Sequence, residues 1–350
     1  MPGSPSLHTP LCDLLEIDLP IVQAPIGRVS GAALAAAVAE AGGLGMLGLS
    51  YATDDEIRRV LGEVGHLTHR PVGVNLILEW DQRERLATCL EMGARVVSYF
   101  WSELAPGSAY IEEAHAAGGL VMLTVGSAEE GRRAVDAGVD IIVAQGLDAG
   151  GHVRGSVGTL ALVPAVVDAV APTPVIAAGG IGDGRGLAAA LALGAQAAWM
   201  GTRFVVADES LAHPAYKDRV VASRETDTAW TVGVFDRGFP DAPVRTLDNS
   251  TIRAWRAAGS PEPGGRPGET DVVAHGPDGR PLTRYDFAPP VVGMSGDLEA
   301  MANYAGQSVG VVRTRQPAAE IVREVAAEAE RVLSSFNPGV TAPARQPPTG

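Results

Sequence analysis

Residues 139–152 read Val-Asp-Ile-Ile-Val-Ala-Gln-Gly-Leu-Asp-Ala-Gly-Gly-His, and this stretch decides the fold. A β-branched run that stops at a polar residue and passes into glycines predicts a strand whose C-terminal end enters a loop with little side-chain bulk. His152 is the one side chain of this loop that can exchange a proton near neutral pH. By itself, however, the stretch fits a glycine-rich turn with a solvated histidine better than a binding site.

The chain around this stretch repeats one arrangement. The strand follows a predicted helix that ends in Asp-Ala-Gly-Val, and comparable glycine-containing helix ends stand at 40–43, 91–94, 115–119 and 192–195, each before an apolar run. Glycine at this place is a typical helix C-cap. We therefore predict eight strands, which cover residues 19–25, 44–48, 72–78, 96–100, 120–125, 139–144, 175–178 and 197–200.

Eight strands alternating with helices favour a closed barrel. The strands are too apolar to leave one face in water, which predicts a parallel sheet covered by helices, and eight such units close a (β/α)8 TIM barrel of the α/β class. A doubly wound open sheet is the alternative. It calls for a Gly-x-Gly-x-x-Gly turn after the first strand, whereas Gln23 is followed by Ala-Pro-Ile-Gly.

The rhythm of strands and helices breaks after Phe204. A strand-like run at 230–235 and a Gly/Pro-rich segment at 259–279 predict a smaller domain or cap over the C-terminal rim of the barrel. The predicted organisation is a flexible N-terminus over 1–14, the barrel over 15–205, the cap and its return to the barrel over 206–310, a C-terminal helix over 311–336, and a disordered tail over 337–350.

Composition narrows the function classes. The 350 residues carry a formal net charge of −14, which argues against nucleic acid or an anionic membrane as a partner. Cys12 and Cys89 lack metal-type spacing, and the start of the chain has no basic leader, so we expect a cytoplasmic protein without a metal site. Lys217 is the only lysine, and the arginine- and alanine-rich composition is typical of GC-rich bacterial coding sequences.

The residues that follow the predicted strands would form the site in a barrel. They include few carboxylates and no metal-ligand set, but many glycines and neutral hydrogen-bonding groups, which suits a large planar cofactor. Gly179 and Gly180 follow the seventh strand, while Gly201 and Thr202 follow the eighth. Barrels commonly bind phosphate there through bare N–H groups and a helix N-terminus, although tight turns would use the same glycines.

Two other features near the strand ends stay open. The aromatic triplet 99–101 fits packing at the top of the barrel as well as it fits a lining of a substrate pocket. Asp148 is interpreted as a solvated aspartate without an assigned role.

The ordered motifs resemble those of the nitronate monooxygenase family over roughly residues 15 to 312. The resemblance is carried by Gln23-Ala-Pro-Ile, Gly43-Leu-Gly-Met, Gly73-Val-Asn-Leu, Ala144-Gln-Gly with Ala149-Gly-Gly-His, Ala178-Gly-Gly-Ile, Met200-Gly-Thr-Arg-Phe and Tyr304-Ala-Gly-Gln-Ser. It implies an FMN-dependent TIM barrel with a smaller second domain. Many members have glutamate where this chain has Asp148.

The resemblance also implies roles for individual residues. The 23–25 stretch and Asn75 would face the flavin ring and ribityl chain, Gln145 would contact the ring, and His152 would be the catalytic residue beside the substrate. The segment from Tyr304 would fold back toward the cofactor. The implied FMN-binding residues are Gln23, Ala24, Pro25, Ile26, Asn75, Thr124, Gln145, Gly150, Gly151, Ala178, Gly179, Gly180, Met200, Gly201, Thr202, Tyr304, Gln307 and Ser308.

The implied activity is oxidation of alkyl nitronates, and of nitroalkanes, by O2 to carbonyl compounds and nitrite. A protonated His152 would orient the anionic substrate, whereas a neutral His152 could remove the α-proton of a nitroalkane. The alternative is an NAD(P)H-dependent flavin reductase of an enoyl thioester or quinone, with Arg154 and Arg203 as candidate docking residues. A non-catalytic sensor of FMN or another phosphate ligand also stays open, and no oligomeric state is predicted.

Overall fold

A closed barrel of eight parallel strands forms the larger part of the protein, in a computed structural model that describes residues 7–336. The first nine strands, β1 to β9, are Ile21–Gln23, Gly45–Gly48, Val72–Ile77, Val96–Phe100, Leu120–Val125, Ile141–Gln145, Gly151–His152, Val175–Ala178 and Ala197–Met200. All except β7 form one sheet in the order β1-β9-β8-β6-β5-β4-β3-β2. A parallel bridge between Val22 and Leu44 joins β1 to β2 and closes the barrel. The predicted TIM barrel is confirmed.

The helices follow the strands around the outside of the barrel. In chain order α1 to α12 are Pro10–Leu15, Ala32–Glu40, Asp54–Leu67, Arg83–Glu91, Ala109–Ala116, Ala128–Asp136, Thr159–Val170, Gly184–Ala192, Thr202–Val205, Pro214–Ala222, Ser250–Ala257 and Ala318–Ser335. None of the helices within residues 7–336 combines the length and the apolar character that a membrane span requires.

The side chains of successive strand residues alternate between the barrel interior and the layer under the helices. Both layers are apolar, which explains why the strand sequences are apolar on both faces of the sheet. Val22, Met46 and Ile141 pack in the barrel interior, whereas their neighbours Ile21, Leu47 and Ile142 pack under the helices. Side chains such as those of Met46 and Ile141 fill the interior toward one end, and a cavity opens at the other end, where the strands finish.

The helix α1, Pro10–Leu15, lies before the first strand, largely within the 1–14 segment that was predicted as flexible. Leu11, Cys12 and Leu15 of α1 are almost fully buried in the interior cluster that contains Met46. A helix of six residues is too short to show a hydrophobic period in the sequence, and its burial across the barrel end stabilises it. Residues 1–6, and the tail predicted over 337–350, lie outside the described residues.

The region between the barrel and α12 contains two small antiparallel sheets. Its strands β10 to β14 are Thr228–Thr231, Val244–Leu247, Val272–His275, Pro281–Thr283 and Ser295–Gly296, and the sheets have the orders β10-β11-β7 and β13-β12-β14. The strand predicted over 230–235 begins two residues earlier and ends at Thr231. The Gly/Pro-rich segment at 259–279 includes β12.

Arg266 lies at the centre of this region as a buried ion. Its side chain is 4% exposed, one guanidinium nitrogen lies 2.5 Å from Oδ1 of Asp236, and another contacts Glu269. The guanidinium carbon also lies 4.4 Å from the centroid of the Tyr285 ring. The ion pair and the stacking hold a Gly/Pro-rich segment in place where periodic structure is sparse.

We predict that Arg266→Ala lowers the free energy of unfolding by about 3–5 kcal/mol, because Asp236 would remain buried without its partner. Urea unfolding followed by tryptophan fluorescence would measure the loss. The control is Arg59→Ala, which removes an exposed guanidinium 3.5 Å from Glu63 and should cost less than about 1 kcal/mol. Equal losses in the two variants would contradict the importance of the buried pair.

Candidate active site

A cavity of about 590 Å³ opens at the C-terminal ends of the barrel strands, under the cap. Residues from the strand ends form its floor and wall, and cap residues such as Phe287 and Tyr304 cover it. Most of the sequence-predicted residues meet there. Those that line the cavity are Ala24, Pro25, Ile26, Asn75, Thr124, Gln145, Gly150, Gly151, His152, Ala178, Gly179, Gly180, Gly201, Thr202, Tyr304 and Ser308.

Three predicted residues do not line the cavity. Gln23 is fully buried, and its amide accepts a hydrogen bond from the Met46 N–H and donates one to Ser30 Oγ, so its side chain joins β1 to β2. Met200 faces the helices, because Trp199 beside it faces the cavity and successive strand residues alternate. The side chain of Gln307 is exposed, and only its backbone N–H reaches inward, to the carbonyl of Asp148.

Several backbone N–H groups without a hydrogen-bond partner in the described part of the chain lie at the neighbouring ends of β8 and β9. The N–H groups of Gly179, Gly180, Gly201 and Thr202 make no hydrogen bond among residues 7–336. Gly179 and Gly180 have φ values of 104° and 70°, which turn the chain sharply and which other residues rarely adopt. All four residues line the cavity, and unpaired N–H groups of this kind are the groups with which backbone turns can bind an anion.

The N-terminus of α8, in contrast, already has carboxylate partners. The Asp183 side chain accepts from the Gly186 N–H, and Glu328 of α12 accepts from the Gly184 N–H at 2.8 Å. The N–H groups of Gly184 and Gly186 in the first turn of α8 are therefore already paired, whereas the amides of the turns after β8 and β9 are not.

The loop between β6 and β7 packs tightly against the segment that returns from the cap. A Cβ atom at Gly150 would lie 2.3 Å from the backbone N of Gly306, so glycine is required there by contact with protein and not by approach of a ligand. Gly306 in turn donates its N–H to Oγ1 of Thr202 at 2.9 Å. The return segment therefore links the loop to the turn after β9.

Asp148 has a structural partner, and the interpretation as a solvated aspartate was wrong. Its Oδ2 accepts a hydrogen bond from the Thr159 N–H at 2.7 Å, in the first turn of α7. The buried Arg245 of β11 donates two hydrogen bonds to the adjacent carbonyl of Leu147. Both contacts fix the loop that leads to His152.

His152 lies in β7, paired with Val244 of the cap sheet, and not in an open loop. Its ring centroid is 4.6 Å from that of Phe239 and 5.7 Å from that of Tyr304. Nε2 is buried and has no hydrogen-bond partner among the described residues. Burial lowers the pKa of His152 to about 4, so the ring is neutral at pH 7.

Gln145 at the end of β6 lies beside His152. Its Nε2 donates to the His152 carbonyl at 3.2 Å, while its Oε1 is buried without a partner. Buried polar atoms of a folded protein are normally hydrogen-bonded. Three such atoms belong to residues that line one cavity, namely Gln145 Oε1, His152 Nε2 and the Tyr51 hydroxyl oxygen, and a ligand there would supply the missing partners.

The aromatic residues 99–101 serve both of the roles considered for them, packing and lining of the cavity. Tyr99 is buried in the layer under the helices, Phe100 lines the cavity, and the Trp101 ring lies 6.0 Å from that of His152. Alternation along β4 separates Tyr99 from Phe100.

Several cavity residues were not predicted. Arg28 and Tyr51 follow β1 and β2, so their position after a strand could have identified them. Arg237, Arg280, Asp286 and Phe287 come from the cap, where the sequence has no strand pattern to place them. The predicted docking residues do not line the cavity, since Arg154 pairs with Glu103 and the buried Arg203 contacts the Thr314 carbonyl.

Comparison with known proteins places this architecture in a family. The sequence model described as "Nitronate monooxygenase" matches residues 8–86 and 79–328. A nitronate monooxygenase of Paraburkholderia phytofirmans is 33% identical, over 93% of this chain and 96% of that protein. A Mycobacterium tuberculosis protein named (3aS,4S,5R,7aS)-5-hydroxy-7a-methyl-1-oxo-octahydro-1H-indene-4-carboxyl-CoA dehydrogenase is 41% identical, over 69% of this chain and 67% of that protein.

Solved structures agree with the sequence match. FabK from Thermotoga maritima superposes with a TM-score of 0.77 at 31% identity and covers 95% of this chain and 99% of its own. A nitroalkane oxidase from Streptomyces ansochromogenes superposes with a TM-score of 0.74 at 31% identity and covers 94% of this chain and 100% of its own. The chain therefore belongs to the nitronate monooxygenase family and is an oxidoreductase.

Proposed function

We propose that this protein binds FMN in the cavity and oxidises alkyl nitronates with O2 to carbonyl compounds and nitrite. The observation that carries the proposal is that two kinds of unpaired polar group line the same cavity. They are four backbone N–H groups at the ends of β8 and β9, and the side-chain atoms Gln145 Oε1 and His152 Nε2. Family membership and the likeness to a nitroalkane oxidase support it.

The cavity suits FMN at both ends of the cofactor. The amides of Gly179, Gly180, Gly201 and Thr202 would hold its phosphate. Asn75, whose Nδ2 is bound to the Ser98 carbonyl, and Gln145 would offer amide oxygens to the ring and ribityl chain. Bound FMN would supply the electron acceptor for the oxidation.

His152 would act as a neutral base on a nitroalkane. With a pKa of about 4, it keeps a free lone pair on one ring nitrogen at pH 7 and cannot provide the charged hydrogen bond of an imidazolium. Nε2 would take the α-proton, and the surrounding rings of Phe239, Trp101 and Tyr304 would keep water away.

A second candidate function is an NAD(P)H-dependent flavin reductase of an enoyl thioester or quinone. The observation that favours it is a pair of cap arginines, Arg237 and Arg280, which line the cavity without a carboxylate partner among the described residues. Guanidinium groups bind phosphate well, and a dinucleotide or a coenzyme A thioester would carry phosphate to this side. The M. tuberculosis relative is named for a CoA ester, which also supports this candidate.

Gly201→Asp should weaken FMN binding at least about tenfold, because it places a carboxylate among the amides proposed for the phosphate. Fluorescence titration of flavin-free protein with FMN would measure Kd. Gly201→Ala is the matched control, since a Cβ there would lie 3.6 Å from Ala24 Cβ and would fit. An unchanged Kd in Gly201→Asp would contradict the phosphate site.

His152→Asn should retain FMN but lower kcat/KM for a neutral nitroalkane by about 10²–10⁴-fold, because the variant lacks a base. In the wild type, lowering the pH through about 4 protonates the imidazole and removes its lone pair. Brief pH-jump assays should therefore show kcat/KM for the nitroalkane falling below about pH 4 and level above about pH 5. Unchanged kinetics of the variant on both nitroalkane and nitronate would overturn the assignment.

Anaerobic mixing separates the two candidate functions. If the protein oxidises nitronates, the yellow flavin spectrum should bleach with propane-2-nitronate and persist with NADH or NADPH. Bleaching by a reduced nicotinamide alone would favour the reductase. Protein that neither contains nor takes up flavin would contradict both enzymes.

A further inference from the structure

Arg28 is an exposed residue at the mouth of the cavity, and its charge has no ion-pair partner in the described part of the chain. It follows β1, lines the cavity, and makes no ion pair or hydrogen bond through its guanidinium among residues 7–336. Its φ of 62° lies in the left-handed region, which costs a non-glycine residue about 1 kcal/mol or more. Strain of this kind is concentrated at functional sites, and here it presents an unpaired cation to the cavity.

Tyr51 presents a second unpaired group on the same side. Its hydroxyl is buried without a hydrogen-bond partner, and its ring lies 5.4 Å from that of Trp80 and 5.2 Å from that of Phe287. Burial raises the pKa of Tyr51 well above its usual range, and the charge of Arg28 opposes that rise. The hydroxyl therefore stays protonated at working pH and can donate a hydrogen bond to a ligand.

We propose that Arg28 and Tyr51 form an anion-binding subsite that receives the charged oxygens of the substrate nitronate. This inference rests on the proposed function, because it assigns the form of the substrate taken by the same cavity. Arg28 provides charge and N–H donors, and Tyr51 provides one O–H donor. The two groups stand after adjacent strands, β1 and β2, on one side of the cavity.

The other charged groups of the cavity lining agree with an anionic ligand. They are Arg237, Arg280 and Asp286, and an Asp286 oxygen already accepts a hydrogen bond from the Ala288 N–H. With Arg28, three cations therefore face one carboxylate in the cavity lining, although the net charge of the chain is −14. The charge at the mouth of the cavity is thus opposite in sign to the net charge of the whole molecule. His152 is neutral at pH 7, and Arg28 is the arginine whose charge acts on Tyr51, so Arg28 would balance the charge of a nitronate in contact with Tyr51.

The probe for this subsite is 2-methylpropanoate, a carboxylate with the shape of propane-2-nitronate and no oxidation chemistry here. Its Kd would be measured on the FMN-loaded protein by flavin difference absorbance and by calorimetry. Arg28→Gly should weaken binding about 10–100-fold and Tyr51→Phe about 5–10-fold, since each loses donors to a charged group. Arg28→Lys should restore part of the affinity.

Arg28→Gly separates binding from folding. Glycine adopts a positive φ without strain, so its melting temperature should equal or exceed that of the wild type while anion binding falls. The controls are Arg59→Gln, which removes a distant surface charge, and Tyr99→Phe, which removes a hydroxyl bonded to the Tyr110 carbonyl away from the cavity. Neither control should change Kd for the probe more than about twofold.

Kinetics give a second measure of the same subsite. Arg28→Gly should raise KM for propane-2-nitronate about as much as it raises Kd for the probe, and should leave KM for neutral 2-nitropropane within about twofold. Equal effects on both substrates, or an unchanged Kd for the probe, would overturn the subsite. Weakened binding of NADH in place of the probe would also overturn it and assign Arg28 to a dinucleotide phosphate.

Failure of the proposed function would be visible separately. If the protein takes up no FMN, the proposed activity fails, and calorimetry of the probe on the flavin-free protein still measures the effect of Arg28→Gly. If FMN binds and nitronate is oxidised while the Arg28 and Tyr51 variants behave as wild type, only the subsite fails.

Discussion

The close contact between Gly150 and the return segment is the constraint on which the site depends. The backbones of Gly150 and Gly306 approach so closely that neither position has room for a Cβ atom. Gln145 before this contact belongs to the barrel sheet, and His152 after it belongs to the cap sheet. The contact thus fixes a short loop that joins two sheets, and it sets the distance between the amide of Gln145 and the ring of His152.

Asp148, Arg245 and Thr202 support this contact from three sides. Asp148 ties the loop to α7, Arg245 ties it to the cap sheet, and Thr202 ties the return segment to the turn after β9. These side chains can affect binding without contacting a substrate, because they fix the positions of the loop and the return segment. Because preorganised groups lose little entropy when a ligand arrives, such anchoring favours binding in one orientation.

The barrel and most of the cavity could be predicted from the sequence, because both follow from local patterns. Apolar runs, helix C-caps and the residues after each strand are readable over a few residues, and they placed Gly179, Gly201 and His152 at one end of the barrel. Arg237 and Phe287 could not be placed, since both lie outside the strands, in connecting segments of the cap that have no periodic pattern. Gln23 and Met200 belong to motifs that identify the family correctly. Their side chains nevertheless do not line the cavity, because successive strand residues alternate between the two faces of the sheet.

The division between barrel and cap also explains why relatives that are named for different activities share one architecture. The groups proposed for FMN lie on strand ends, whose spacing the closed sheet fixes. Phe239, Phe287 and the cap arginines lie in turns and loops between the short strands of the cap, where an ion pair at Arg266 stabilises the chain, so they can change without disturbing the barrel. Arg28 and Tyr51 both follow barrel strands, and the Tyr51 ring also lies against that of Phe287 in the cap. In the proposed subsite the nitronate charge would be recognised from the barrel side, whereas Phe287 of the cap would limit the shape and size of the substrate.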